Sequence, residues 1–216
     1  MKWLTVLPSI HRRRTQVCLD SMATEFADSV LLIDNTKENR GVAASWNIGV
    51  DLVIAEQYDW LIVLSAGIRF GQRGGMDFLH ELLMAESLVV EADNDLGWHL
   101  IAFSREALER VGPFDAILFH PAYCEDLDWS ERYQRAYGLD SHAPDFEGPL
   151  WPKVPCDAVL REVAHGLKRG GVVVDLEEMR RRYHAKWGPD GTYPTPYDDP
   201  TLDWTYCGFA PLRSVP

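Results

Sequence analysis

Apolar residues follow two alternating rhythms along this chain. They form short, dense, β-rich runs at 2–9 (KWLTVLPS), 28–35 (DSVLLIDN), 59–65 (DWLIVLS) and 98–104 (WHLIAFS). Between the first three runs and after the third, 15–27, 41–57 and 74–86 carry apolar residues three to four apart, the period of a helix with one buried face. Strands alternating with helices over the first 90 residues predict a parallel, Rossmann-like sheet. DWLIVLS has no alternation, as expected of a strand covered on both faces. Pro8 is expected to stop the first strand, and Asp34-Asn35 to turn the chain after the second.

The second half is less regular. Residues 105–115 read as a short helix ended by Gly112 and Pro113. Residues 124–138 read as a helix whose acidic start suits the helix dipole and whose end is Gly138. From 183 onward the chain is rich in Pro, Gly and aromatic residues without a period. The prediction is one domain over 1–182, with halves 1–90 and 91–182, and an extended tail over 183–216 packed on it. No internal repeat or low-complexity tract is evident.

Composition narrows the classes. Of 216 residues, 46% are hydrophobic and 25% charged, enough to bury a core. No apolar run is long enough to span a bilayer. The start, MKWLTVLPSIHRRR, has a short apolar stretch broken by Pro8, with its basic cluster after it; that is not a signal peptide, and the expected location is the cytoplasm. A formal net charge of −12 argues against a sequence-independent nucleic-acid binder. Two local basic stretches remain, HRRR at 11–14 and HGLKRGG at 165–171. Cys18, Cys124, Cys156 and Cys207 show neither zinc-site nor disulfide-framework spacing and read as free thiols.

Ligands of open α/β sheets bind at the carboxyl ends of the strands. Three such ends stand out: Pro8-Ser9, Asp34-Asn35 and Ser65-Ala66-Gly67. Asp34 could accept hydrogen bonds from a base or ribose hydroxyl; taken alone it reads as a turn residue. Glu125, Asp126 and Asp128 crowd one helix start. Crowding and burial raise carboxylate pKa, which suits a general base, although acids there also cap helices. His165, alone, reads as a loop histidine.

Taken in order, these elements resemble the inverting, family 2-like glycosyltransferases of GT-A fold. VLPS, LLIDN, NRGVAASWNIG and DWLIVLS are similar to the nucleotide-sugar half of that family, and the VGPFD…EDLDW combination within 97–138 is similar to its acceptor half. YHAKWGPDG is similar to a KWG-type tail of phage and actinobacterial members. The resemblance implies a GT-A mixed, mostly parallel sheet flanked by helices. Asp34 would hold the base or ribose of the donor, with Pro8 and Ser9 lining the pocket and Asn47 steadying the strand ends. Asp126 would be the catalytic base, Glu125 would contact the acceptor or position that base, and Trp98 and His99 would form the sugar and acceptor surface. Their plainer reading is core packing.

The family places Asp-x-Asp, the ligand pair for a divalent metal on the donor diphosphate, where this chain has Ser65, Ala66 and Gly67. Arg69, Arg73, Lys168, Arg169 and the backbone amides of the SAG turn are the candidates to neutralise that charge instead. His165 matches a metal-binding histidine of the family, and one such ligand would hold Mn or Mg weakly. The two aspartates of ADNDLG, Asp93 and Asp95, lie in the wrong element. The expected activity is transfer of a sugar from a UDP-, GDP- or dTDP-linked donor to a protein or glycan hydroxyl, metal-independent or weakly metal-dependent, in the host cytoplasm if phage-encoded. The alternatives are a non-catalytic binding protein of the same fold and, least favoured because PSIHRRR has no glycine, a nucleotidyltransferase.

Overall fold

The computed structural model describes residues 1–93, 97–139, 151–160 and 174–188. Its elements are β1 (Trp3–Ser9), α1 (Arg12–Asp20), α2 (Thr24–Ala27), β2 (Val30–Asp34), α3 (Val42–Ala55), β3 (Trp60–Leu64), β4 (Ile68–Phe70), α4 (Met76–Met84), β5 (Val89–Ala92), β6 (Leu100–Ser104), α5 (Arg105–Val111), α6 (Glu125–Tyr137), β7 (Lys153–Val154), β8 (Ala158–Leu160) and α7 (Leu176–Trp187). A 3₁₀ turn at Gly97–His99 leads into β6.

Six strands form one sheet in the order β2-β1-β3-β6-β5-β7. β1 pairs in parallel with β2 and β3, β6 runs antiparallel to β3 and β5, and β7 is parallel to β5. This is the α/β, mixed and mostly parallel sheet flanked by helices that the sequence predicts. β4 and β8 form a separate antiparallel pair. No helix among the described residues is long and apolar enough to cross a membrane.

The sheet divides two apolar cores, and β3 serves both. Leu61 and Val63 face α3, α5 and α6 along with Trp46, Val50, Phe103, Leu108 and Trp129. Trp60, Ile62 and Leu64 face the other way, against Cys18 of α1, Phe26 of α2, Phe78 of α4, and Ile68 and Phe70 of β4. All five β3 residues are buried, as the unbroken apolar run requires. Burying such a side chain is worth about 1.5–3 kcal/mol relative to leaving it exposed.

Several local expectations change. Pro8 does not stop β1, which runs on to Ser9 and pairs there with Asp34 of β2. The ladder toward β3 has already ended at Val6, so Pro8 lies where only one neighbour remains. The helix expected over 15–27 is two helices. At the break, Ser21 Oγ donates to the Cys18 carbonyl and accepts from Phe70 N–H, while Ala23 N–H donates to the Gly74 carbonyl. Long-range partners thus take backbone groups that a continuous helix would use. β5 is masked in the sequence by Glu91, which is buried and takes a 2.8 Å hydrogen bond from Trp151 Nε1. The chain stays helical to Trp187, past residue 183 where the tail was expected; 189–216 lie outside the described residues.

Gly49 is where α3 touches the sheet most closely. A Cβ there would lie 2.4 Å from a Val6 methyl and 2.7 Å from Leu61 Cδ1. Overpacking of this kind costs about 1–3 kcal/mol. Gly49→Val is therefore expected to lower unfolding free energy by an amount near the top of that range, seen as a lower urea midpoint at an unchanged m-value in equilibrium unfolding.

Candidate active site

β1 is followed in the sheet by β2 on one side and by β3 on the other. That reversal marks a switch point, where a crevice opens at the carboxyl ends of the strands. At that end the two ladders part: β1 stays paired with β2 as far as Ser9 and Asp34, but leaves β3 after Val6 and Val63.

On the β1–β2 side, Pro8 is half-buried and Ser9 buried. The Ser9 hydroxyl is spent on Thr15 Oγ1 at 2.6 Å, fixing α1 to the strand end. Asp34 is exposed and accepts from Thr36 N–H at 2.9 Å. Hydrogen bonding from the Thr36 hydroxyl and then its N–H, followed by the charges of Arg12 and Lys37, keeps its carboxyl below the usual range. Arg12 Nη2 stands 3.8 Å away. Asp34 is thus an ionised acceptor held by a turn and open to solvent.

At the end of β3, Ser65, Ala66 and Gly67 make a tight turn into β4. Ser65 N–H donates to the His99 carbonyl at 2.8 Å, and Gly67 N–H donates to Ser65 Oγ at 3.2 Å. Two of the three amides proposed for a phosphate therefore already have partners. Arg69 is exposed on β4. The turn offers one hydroxyl and no carboxylate, which does not fit a divalent cation that takes about six oxygen ligands. His165, Lys168 and Arg169 lie outside the described residues, as do Asp95 and Cys207.

The Ser65–His99 hydrogen bond brings the 3₁₀ turn to the same place. His99 is exposed yet close enough to protein for burial to lower its pKa, with the charge of Asp126 working against that shift. The strand end, His99 and the start of α6 are thus one locality. Trp98 is committed to packing: its ring meets those of Trp46, Phe103, Phe114, Trp129 and Trp151. Asn47 grips the backbone at Phe114. Its side-chain amide donates to the Phe114 carbonyl and accepts from Phe114 N–H, both at 2.8 Å, clasping the segment that leads to α6.

At the start of α6, Glu125 is buried and its carboxyl is pushed up to about 8, first by burial and then by the charge of Asp126. Asp126 is half-buried and also raised, by burial; Leu127 N–H on its Oδ1 at 2.8 Å and the nearby His99 pull the other way. Tyr123 and Cys124, just before the pair, hold left-handed φ angles of 79° and 69°. Such angles are uncommon outside glycine and store strain.

The third acid of the cluster does something else. Asp128 is fully buried and accepts from Lys186 Nζ at 2.6 Å, Trp187 Nε1 at 2.9 Å and Arg132 Nε at 3.1 Å. Lys186 also reaches Asp115 Oδ2 at 2.9 Å. These partners outweigh burial and leave the Asp128 carboxyl below its ordinary range. The sequence reading took VGPFD, EDLDW and AKWG as marks of resemblance; the structure joins them in one buried ion cluster. Asp115, Lys186 and Trp187 had gone unassigned. Their signal was the placing of each charge beside a large aromatic, in FD, DW and KW.

Among the described residues Asp77, Cys156 and Asp157 bring three potential metal-ligand atoms within 4.8 Å of one another. Asp157 accepts from Gly75 N–H at 3.1 Å and from Arg73 N–H, at the positive end of α4. Burial pushes the Cys156 thiol up to about 12.

No family model matches this sequence, and no curated protein matches it either. Solved structures show likeness at low identity. A mannosyltransferase from Pyrobaculum calidifontis, in complex with GDP-Man and Mn²⁺, is 15% identical with a TM-score of 0.48, over 72% of this chain and 56% of that one. A Drosophila galactosyltransferase, in complex with manganese, UDP-Gal and xylobiose, is 17% identical with a TM-score of 0.43, over 65% of this chain and 63% of that one. A glycosyltransferase involved in glycosylation of the PBCV-1 major capsid is 11% identical with a TM-score of 0.38, over 72% and 81%. The chain thus spans less than two thirds of the first two. No residue role transfers at such identities.

Removing one member of a buried ion pair costs about 3–5 kcal/mol, because the partner charge is left uncompensated. Lys186→Met is expected to lose stability in that range, measured by chemical denaturation, and to cost more than Arg69→Met, whose side chain is exposed.

Proposed function

We propose that this protein transfers a sugar from a nucleotide diphosphate sugar to a hydroxyl acceptor, with inversion and with Asp126 as base. The observation that carries the reading is the meeting of the β3 strand end, His99 and the raised carboxyl pair of α6 beside a switch-point crevice. Residues 1–90 supply the donor side, with Asp34 on the base or ribose, and the later segment supplies the acceptor side.

In the reaction the acceptor oxygen attacks the anomeric carbon, and the bond to the diphosphate breaks on the opposite face. The acceptor proton passes to the free oxygen of Asp126, and the nucleotide diphosphate leaves with the bonding electrons. Asp126 suits this role because burial raises its carboxyl above the ordinary range, which strengthens it as a base, while Leu127 N–H and His99 favour its charged form. With no carboxylate in the SAG turn, the leaving charge falls to exposed guanidinium groups; Arg69 on β4, Arg73 after it and Arg12 beside Asp34 are candidates among the described residues. The same missing carboxylates favour a second reading, a protein that binds the sugar nucleotide without turnover. The donor is UDP-, GDP- or dTDP-linked, and the acceptor a protein or glycan.

A panel of such donors, each with Mn²⁺ and with EDTA, tests the reading by thermal shift and by donor hydrolysis. One donor should raise the melting temperature in both conditions; at a hundredfold excess over Kd the gain is about 2.7 kcal/mol. Asp126→Asn should keep that shift and lose about 10²–10⁴ in turnover. Stabilisation with no turnover on protein or glycan acceptors would select the binding-only reading, and no stabilisation by any donor would end both.

A further inference from the structure

Single exposed apolar side chains are ordinary on a protein surface; gathered in one place they mark a contact surface. Among the described residues most of the large ones stand alone, as Leu32 and Val159 do, or as the adjacent pair Leu83–Met84. Four do not. Ile117, Tyr123, Leu127 and Leu176 are each about half exposed. Each lies within three residues of a member of one small core, built from Phe119, Cys124 and Met179 with Leu118, Val174 and Tyr183 packed against it. That core joins the segment before α6 to the first turns of α7, so the four side chains stand around one seam. Asp126 belongs to the same stretch: Leu127 follows it and places its N–H on the Asp126 carboxylate, and Tyr123 stands three residues before.

Tyr123 is the most telling of the four. Its φ of 79° is costly for a bulky side chain. Yet its ring is 51% exposed and meets no other ring among the described residues. The fold thus holds an aromatic in a strained position and leaves it largely in water.

One charge stands at the same seam. α7 carries three consecutive arginines. Arg181 and Arg182 are held by Glu178, and Arg182 also donates to the Leu118 carbonyl. Arg180 is exposed, with neither a hydrogen bond nor an ion pair among the described residues. It follows Met179, which packs in one cluster with Cys124, and its charge acts on the Cys124 thiol. Aliphatic side chains offer no hydrogen bond to the hydroxyls of a free glycan. A chain of net charge −12 is repelled by an anionic bilayer. A peptide segment suits both the apolar rim and the lone cation.

We propose that Ile117, Tyr123, Leu127, Leu176 and Arg180 form the docking surface for a polypeptide acceptor, whose hydroxyl lies among apolar residues with an acidic one nearby. Its role as acceptor rests on the glycosyl-transfer reading; the docking does not. Tyr123 and Leu127 bracket Asp126, so a segment seated on them brings its hydroxyl to the base, and Arg180 sets the direction in which it runs.

The experiment titrates the full-length protein, with no donor present, against short labelled peptides that carry a central serine and random residues elsewhere, pooled by position. Apolar pools should bind about tenfold more tightly than polar ones, and acidic pools more tightly than basic ones. Leu127→Gln should remove the apolar preference, and Arg180→Gln the acidic preference alone. Tyr123→Gly should weaken capture about tenfold while leaving the melting temperature unchanged or raised, since glycine takes the same φ freely. A residue serving only the fold would lose stability instead. Equal binding of all pools, or none, would overturn the proposal, as would preferences that survive in both Leu127→Gln and Arg180→Gln. Tighter binding to free oligosaccharides, or to vesicles of phosphatidylcholine and phosphatidylglycerol, than to any pool would overturn it in favour of those partners. Peptide docking without turnover of any donor would keep the surface and remove the transfer reading.

Discussion

One ammonium group organises the second half of this molecule. Lys186 is 2% exposed and lies between Asp115 and Asp128, themselves 1% and 0% exposed. Taking three charges out of water is expensive, so the arrangement persists only because each finds its partner with good geometry. The segments it joins are distant in sequence: Asp115 follows α5, Asp128 lies on α6, and Lys186 closes α7. Further bonds follow the same seam, from Tyr183 to Glu131 and from Arg182 to the Leu118 carbonyl. A contact spanning 71 residues carries a large loop-closure cost that its geometry must offset.

α6 consequently holds carboxyls in opposite states within one turn. Asp128 is the most buried and remains ionised, because two cations and an indole N–H face it. Glu125 is slightly less buried and is pushed the other way, by burial and then by the charge of Asp126, with only backbone N–H groups opposing them. Burial alone does not decide ionisation; the partner does. The helix dipole favours anions all along this first turn, yet it is short-ranged and weaker than either effect.

The sheet was legible because its strands are apolar where they are buried on both faces. DWLIVLS could be placed without any long-range information, and all of its core residues are buried. What escaped depends on tertiary partners. β5 carries Glu91, which a lone strand could not bury and which Trp151 makes tolerable. The break after α1 depends on Phe70 and Gly74. At the site, the carboxyl pair was visible as a cluster, but its division was not. Asp128 looks like its neighbours until Lys186 and Trp187 arrive from sixty residues further on. Asn47 could be read as a donor-side residue because its grip on Phe114 is a contact between elements far apart in the chain.

The two cores on either side of the sheet have a consequence for how this protein can change. The SAG turn, α1, α2, α4 and β4 rest on one core, whereas Asn47, Trp98 and the approach to α6 rest on the other. Perturbations separated by more than about 7–10 Å and sharing no partners add nearly independently. Drift in the lining of one wall of the crevice therefore leaves the packing of the opposite wall largely untouched. The sheet acts as a partition between two separately evolvable halves.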